Sequence, residues 1–473
     1  MKSRILFISL AVVLALSVGL IGCGDGGPTV PTEIVIGAAR DTNEALSFFE
    51  CGAGGPVMRW FVDKVNDEGG IYMSEYDADL PIELIVRDFS LAGWDIGDVT
   101  QGLIDDGADF ILGGPATDTI YTQAPICNKE ATILMTLEGG ASAMTWNPEN
   151  YLDLWPYVWV NLSFANWYEI PVMHDILAAE VATPTAYVTR IGGPGNEHGL
   201  EYFQATQLEF GAGNVTDAGA HSYELDSTEA NTIIQTAAAA LNASGSGPDY
   251  DIFCAYTYPW NVAELIGACI ANDFNPPAIL FGPGANFASY SEVYFGANME
   301  GICSFTMANN KTTVAVGTPT MSMATLFDEL AAQVEDDWAN YSSVCPQGGG
   351  FTDGYDQLDF WGFPCYTAAL EMWKAAVEDV GELDSPAIRN VLASYSPSDP
   401  ASTVFGDTWY EVFGGGNGGG VMDYECHTGE IGQWQSGVFE TVGYTGITSE
   451  LPNYCVTGDF QFPMTNQWTW LFD

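Results

Sequence analysis

The side chains able to do chemistry are few. The 473-residue chain holds 4 His, at positions 174, 198, 221 and 427, and 10 Cys. No histidine stands in a nucleophile or metal-binding motif, no CxxC occurs, and no Cys/His cluster has zinc spacing. No P-loop-type glycine loop is present either. The sequence therefore predicts no catalytic residue, no metal and no cofactor. His198, at the start of a predicted helix, reads either as a proton carrier or as an ordinary surface histidine. Charge is the more informative feature: 62 acidic side chains face 11 basic ones, for a formal net charge of −51. The acid content is ordinary, and the shortage of Lys and Arg sets the balance. Such a surface repels phosphate backbones and excludes nucleic acid as a partner. It also makes each remaining arginine worth placing.

Those few groups must be positioned by elements, and the pattern of elements is regular. Short β-branched or apolar runs at Ile34–Ile36, Ile82–Val86, Phe110–Leu112 and Thr132–Met135 alternate with helical stretches at about 56–67 and 99–105. The rhythm restarts at Tyr157–Val160, with a helix over about 167–179 and a strand at Ala186–Thr189. A helix from His198 to about Phe210 follows, then strands at Ile252–Ala255 and Ala278–Phe281. Alternation of this kind predicts parallel sheets covered on both faces, in two successive α/β units. With 47% hydrophobic residues the chain has ample material for a core.

In open parallel sheets small ligands sit beyond the carboxyl ends of the strands. That places residues 38–49, 115–119, 137–142, 190–198, 256–260 and 282–285 around a site. Arg40 and Arg190 fall in two of these loops, one in each unit. Guanidinium forks bind carboxylates bidentately, so either arginine could clamp an anionic ligand. Alternatively each pairs with a local acid such as Asp41, Glu197, Asp118 or Glu138.

The N-terminus has its own logic. Lys2 and Arg4 precede an apolar run from Ile5 to about Ile21, which ends in Leu20-Ile21-Gly22-Cys23. The run has the layout of an export signal, and its end resembles the bacterial lipobox, in which the thiol after the cleavage point carries lipid. Residues 1–22 are read as a signal peptide and 23–32 as a tether, with Cys23 as the lipid attachment. This implies an extracytoplasmic protein of the cell envelope, held on the membrane by its lipid. Outside the cytoplasm some of the other nine cysteines would pair, and an odd number leaves at least one free. Cys426 with Cys455 is the expected pair.

An ordered set of segments carries a family resemblance. Ile34–Gly37, Val65–Ile71, Val86-Arg87-Asp88, Gly113–Thr117 and Met135-Thr136-Leu137 are similar to the first lobe of type I periplasmic binding proteins of the branched-chain amino-acid type. Residues 157–284 resemble the second lobe, 366–381 the long late helix, and Ile431–Glu440 the closing strand pair. The resemblance implies two parallel-sheet lobes joined by three crossovers, a Venus flytrap. Lobe one would hold 33–161 plus 308–403, and lobe two 162–307 plus 404–473. The run Gly414–Gly420 would be a floppy surface insertion.

The same resemblance implies ligand contacts at Thr117 and Asp118, where the family seats an amino-acid carboxylate. It implies others at Glu138, Gly140 and Ser142 in the second N-lobe loop, and at Asn196, Tyr256, Tyr258 and Tyr366. Two departures argue against a simple Leu/Ile/Val ligand. The family's ammonium-pairing acid is replaced by Gly282-Pro283-Gly284, and Asp118 and Glu138 stand where a carboxylate would bind. The resemblance implies an ABC importer's solute-binding protein, not an enzyme, with a permease as partner and an amino acid, amide, urea or aromatic acid as ligand. A sensor feeding a receptor or kinase is the alternative, and a lipoprotein enzyme a remote one.

Overall fold

The computed structural model describes residues 30–42, 47–92, 95–114, 117–136, 151–161, 165–192, 197–222, 224–245, 248–313, 317–340, 353–423, 426, 430–444 and 456–464. From Glu33 onward the chain forms one compact unit, built on two seven-stranded sheets. The strands of its first part are β1 (Ile34–Arg40), a small hairpin of β2 (Ile71–Met73) and β3 (Ala78–Leu80), β4 (Ile82–Asp88), β5 (Phe110–Leu112), β6 (Ile133–Thr136) and β7 (Val158–Val160). Next come β8 (Ala186–Ile191), β9 (Val215–His221), β10 (Ile252–Tyr256), β11 (Ala278–Phe281) and β12 (Ile302–Thr306). The last part adds the hairpin β13 (Ala401–Thr403) and β14 (Gly406–Thr408), then β15 (Tyr410–Val412), β16 (Gly420–Met422), β17 (Glu430–Gln435) and β18 (Val438–Tyr444).

The first sheet runs β15-β16-β7-β6-β5-β1-β4 and the second β18-β17-β12-β11-β10-β8-β9. Every pairing among β4, β1, β5, β6, β7 and β16 is parallel, and β15 adds antiparallel at the edge. In the second sheet β9, β8, β10, β11 and β12 are parallel, and the closing pair β17–β18 is antiparallel. The predicted α/β class with two parallel-sheet lobes is what the chain adopts.

Strand β1 shows why. Its alternate residues Ile34, Ile36 and Ala38 enter one apolar cluster, while Ala39 enters a second on the sheet's other face. Burial on both faces selects a near-continuous apolar run. Helix starts are fixed by side chains: Asp95 accepts from the Gly97 N–H at 2.8 Å and Asp226 from the Glu229 N–H at 2.8 Å. Each such cap is worth about 1 kcal/mol. The helix Phe363–Val380 ends at Gly381, whose φ of 72° suits a residue without Cβ. Among the described residues no helix is long and apolar enough to cross a membrane.

The chain passes between the sheets three times: between β7 and β8, after β12, and between β16 and β17. The last passage lies later than the sequence reading placed it. Residues 410–422 do not belong with lobe two; they extend the first sheet as β15 and β16. The glycine run Gly414–Gly420 is accordingly the turn of an edge hairpin, not a floppy insertion. Arg389 fixes it, donating from Nη2 to the carbonyls of Gly416 (3.0 Å) and Gly418 (2.5 Å). The expected Cys426–Cys455 pair is also corrected. Cys426 is a buried thiol outside any disulfide, its Sγ accepting from the Trp409 N–H at 3.2 Å and donating to the Trp409 carbonyl at 3.4 Å. Cys51 is the described cysteine in a disulfide, and Cys23 and Cys455 lie outside the described residues.

Candidate interlobe site

Strand ends from both lobes meet at one place. The helix Thr117–Glu130 follows β5, and the helix Glu197–Phe210 follows β8. Thr117 Oγ1 and His198 Nε2, at the starts of these helices, lie 2.7 Å apart and form a hydrogen bond between the lobes. The His198 ring lies parallel to that of Tyr256, the last residue of β10 (centroids 6.1 Å, 11°). Tyr256 meets Tyr258 edge-on at 5.5 Å, and Tyr258 stacks on Trp260 at 4.9 Å and 8°. From the first lobe, Phe49 in the helix Ser47–Gly52 sets its edge against Trp260 at 6.4 Å and against Phe287 at 6.3 Å.

Local sequence explains the wall. Pro259 opens the helix Pro259–Ala271 at a position whose N–H would be unsatisfied anyway, and Tyr258 and Trp260 flank it. The Gly282-Pro283-Gly284 loop packs beneath: Thr257 Oγ1 donates to the Pro283 carbonyl at 2.9 Å, and Gly284 donates to Asn286 Oδ1 at 2.9 Å. A Cβ on Gly284, whose φ is +135°, would meet the Tyr258 carbonyl carbon at 3.0 Å. The acid that the family resemblance led one to look for has no room at that residue.

Both candidate arginines are committed to acids, Arg40 to Glu50 and Arg190 to Asp217. Arg40 is fully buried; its Nε donates to Glu50 at 2.6 Å and its Nη1 to the Gly113 carbonyl at 3.0 Å. Glu50 also receives Arg59 Nη1 at 2.8 Å, and Arg59 in turn holds Asp337 through Nε and Nη2 at 2.9 and 2.8 Å. Burial works to lower the Arg59 pKa, but Glu50 and Asp337 outweigh it and hold it above its ordinary value. Burial pushes Asp337 up, opposed by Arg59. A buried chain of alternating charges of this kind survives because each member is paired and hydrogen-bonded. Arg190 pairs with Asp217 on neighbouring β9 (3.1 Å), with its guanidinium 5.3 Å over the Phe203 ring. Each of the two arginines expected as an anion clamp thus stands in an internal ion pair.

The remaining basic side chains beyond residue 32 are likewise engaged. Lys64 pairs with Glu329, Arg87 with Asp106, Lys129 with Glu130, Lys311 with Glu440 and Lys374 with Glu378. Arg389 donates to the carbonyls of Pro156, Gly416 and Gly418 and to Asn390 Oδ1. Burial lowers its pKa from the ordinary arginine value.

Of the other predicted contacts, Thr117, Tyr256 and Tyr258 come together at the meeting of the lobes. Tyr366 is fully buried in the helix Phe363–Val380, its hydroxyl beside Gly362. Glu138, Gly140, Ser142 and Asn196 and the side chain of Asp118 lie outside the described residues, as does Cys23. Sequence reasoning placed His198, Phe49 and Trp260 in the loops around the site but named none of them as a contact. It also missed the segment that stitches the lobes: Asn286 bonds to Asp359, which accepts from the N–H groups of Trp361 (2.8 Å) and Gly362 (3.0 Å). Trp361 Nε1 then donates to buried Glu169 at 3.0 Å.

This arrangement can grip a small molecule between lobes, with hydroxyls, an imidazole and π faces as its described contacts. Known folds agree with the geometry. No protein-family model and no curated protein matches the chain. Among solved structures, the branched-chain amino-acid transporter substrate-binding protein LivJ of Streptococcus pneumoniae, in complex with isoleucine, matches with a TM-score of 0.60 at 13% identity. That match covers 87% of this chain and 99% of LivJ. An ABC transporter substrate-binding protein from Sphaerobacter thermophilus matches with a TM-score of 0.62 at 14% identity, covering 88% and 98%. A solute-binding protein of an ABC transporter from Rhodopseudomonas palustris, in complex with 3,4-dihydroxybenzoic acid, gives 0.60 at 10% identity, covering 90% and 99%. The chain has the type I periplasmic binding protein fold.

Proposed function

We propose that this chain is the extracytoplasmic solute-binding protein of an ABC importer, tethered by lipid on Cys23 and handing its ligand to a permease. It captures an amino acid or a related small polar organic compound in the interlobe site by hinge closure and leaves that compound unchanged. The observation that carries the reading is the Thr117–His198 hydrogen bond at 2.7 Å, which joins helix starts from opposite lobes above the carboxyl ends of two parallel sheets. Structures of the same fold in complex with isoleucine and with 3,4-dihydroxybenzoic acid support a small organic ligand. Thr117, Tyr256 and Tyr258 are its proposed contacts, joined by His198 and Trp260.

The test is a thermal-shift screen of the mature protein against amino acids, amides, ureas and aromatic acids, with mass spectrometry of whatever binds. A ligand that binds only the folded state raises the melting temperature by mass action. The reading expects at least one hit, recovered intact. Catalytic turnover of the hit, abolished by a substitution in the interlobe site, would overturn it.

A further inference from the structure

Residues 358–362 lie outside helices and strands, yet Leu358, Asp359, Phe360 and Trp361 are all buried. A buried segment of that kind must find backbone partners in neighbouring elements. This one finds them in three directions. Toward the second lobe, the Phe360 N–H donates to the Asn286 carbonyl at 3.1 Å, and the Leu358 carbonyl accepts from the Ala288 N–H at 2.9 Å. Toward the first lobe, the Asp359 N–H donates to the Gly52 carbonyl at 3.1 Å. Toward the crossover after β12, the Phe360 carbonyl accepts from the Met307 N–H and the Thr306 hydroxyl, both at 2.9 Å.

Each side of this strap reaches a wall of the interlobe site. Gly52 closes the short helix Ser47–Gly52 that carries Phe49. Asn286 holds the Gly284 N–H through Oδ1, and Gly284 packs against Tyr258. Asp359 joins the two sides. Its carboxylate accepts from the Asn286 side-chain amide, the Trp361 N–H (2.8 Å) and the Gly362 N–H (3.0 Å), while its own N–H serves Gly52. The approach at Gly52 is close: a Cβ there would stand 2.2 Å from the Gln357 carbonyl oxygen, so only glycine admits the strap.

We propose that residues 358–362 are a positioning strap for solute capture, in which Asp359 is a positioning residue. It sets the spacing of the Phe49 helix against the Gly284–Tyr258 loop without touching the solute. The inference rests on the solute-binding reading above. Hydrogen bonds to an ionised acceptor are the stronger kind, and a buried network of them holds one geometry. Asparagine at 359 keeps one acceptor oxygen and turns an NH2 group toward donors that the other oxygen now meets.

The test is hydrogen–deuterium exchange of the ligand-free mature protein, read on peptides spanning 47–53 and 256–262. Asp359→Asn and Gly52→Ala perturb the strap at different points, and each should speed exchange at least fivefold in both peptides. Asp251→Asn is the control. Asp251 accepts from the Thr185 N–H and hydroxyl at 2.8 and 2.7 Å, just before β10 and β8, at the far ends of those strands from the site. Its replacement should leave both peptides within twofold of the parent. Acceleration of one peptide only, of neither, or of both equally in the control overturns the strap. If Asp359→Asn does not fold, Asn286→Ser and Gly52→Ala decide by the same criteria. Calorimetry with isoleucine and 3,4-dihydroxybenzoate as probes reads the effect on capture. Whichever probe binds the parent should bind Asp359→Asn at least tenfold more weakly and Asp251→Asn equally well. Unchanged affinity in Asp359→Asn overturns the positioning role. If neither probe binds the parent, the exchange data decide the strap, and the wider screen decides the solute-binding reading separately.

Discussion

Replacing Glu50 with glutamine removes the carboxylate that lies between the guanidinium groups of Arg40 and Arg59, at 2.6 and 2.8 Å. Volume is preserved, so the change isolates charge. Arg59 keeps its two-pronged contact with Asp337, and Arg40 keeps the Gly113 carbonyl. The excess positive charge stays in a fully buried place, because both Arg40 and Glu50 are inaccessible to solvent. Breaking a buried pair from one side costs about 3–5 kcal/mol. The comparison is Arg190→Ala, which removes a partly exposed pair with Asp217 and should cost about 1 kcal/mol or less. Urea denaturation of the two variants, followed by tryptophan fluorescence, measures both. Calorimetry with the ligand found by screening supplies the second readout. Glu50→Gln should lose several kcal/mol of stability, and Arg190→Ala should keep the ligand's Kd. A Glu50→Gln variant as stable as the parent would refute the reasoning, as would Arg190→Ala losing binding tenfold at unchanged stability. The second outcome would return Arg190 to the role of an anion clamp.

Three further expectations follow from particular contacts. Glu371 accepts from the Thr320 hydroxyl at 2.6 Å and the Val404 N–H at 2.7 Å, and burial raises its pKa from 4.5 to about 7. Between those values the folded state holds a proton that the unfolded chain has released, so stability should fall as pH rises from about 4.5 to 7 and level off above. Glu371→Gln should flatten that slope by on the order of 1–2 kcal/mol in denaturation curves taken across the range, allowing for the residue's partial exposure. Thr117→Val removes the hydroxyl that meets His198 and should cost the closed state about 0.5–1.5 kcal/mol, seen as a two- to tenfold weaker Kd with little change in the ligand-free melting temperature. Cys23→Ser should move the protein from the membrane to the soluble fraction on cell fractionation; retention in the membrane fraction would remove the lipid anchor from the account.

Much of the fold was legible because parallel strands buried on both faces must be apolar. Ile34–Ile36, Phe110–Leu112 and Ile252–Ala255 announce β1, β5 and β10 on that ground alone. Three strands at or next to the sheet edges, β9, β15 and β16, were not legible. β9 reads Val-Thr-Asp-Ala-Gly-Ala-His, without an apolar run, because none of its residues is buried at this edge of the sheet. β15 and β16 hid behind the glycine run between them, whose order comes from Arg389, more than twenty residues upstream. The site shows the same division. Tyr256 and Tyr258 sit at the end of a recognisable strand, so their placement was accessible. The fates of Arg40 and Arg190 were not, because their partners Glu50 and Asp217 are close in space rather than in the immediate sequence. A list of nearby acids names candidates; the sheet register and helix packing choose among them. Cys426 was misread for a related reason, since its thiol is held by the Trp409 backbone, across the β15–β16 hairpin.

The central claim is capture by closure between two lobes, and small-angle scattering of the mature protein with and without a saturating ligand tests it most directly. The account predicts a smaller radius of gyration with ligand bound, a change reduced in Thr117→Val at ligand concentrations near the parent's Kd. An identical scattering profile with and without ligand, at concentrations where calorimetry shows full occupancy, would contradict it.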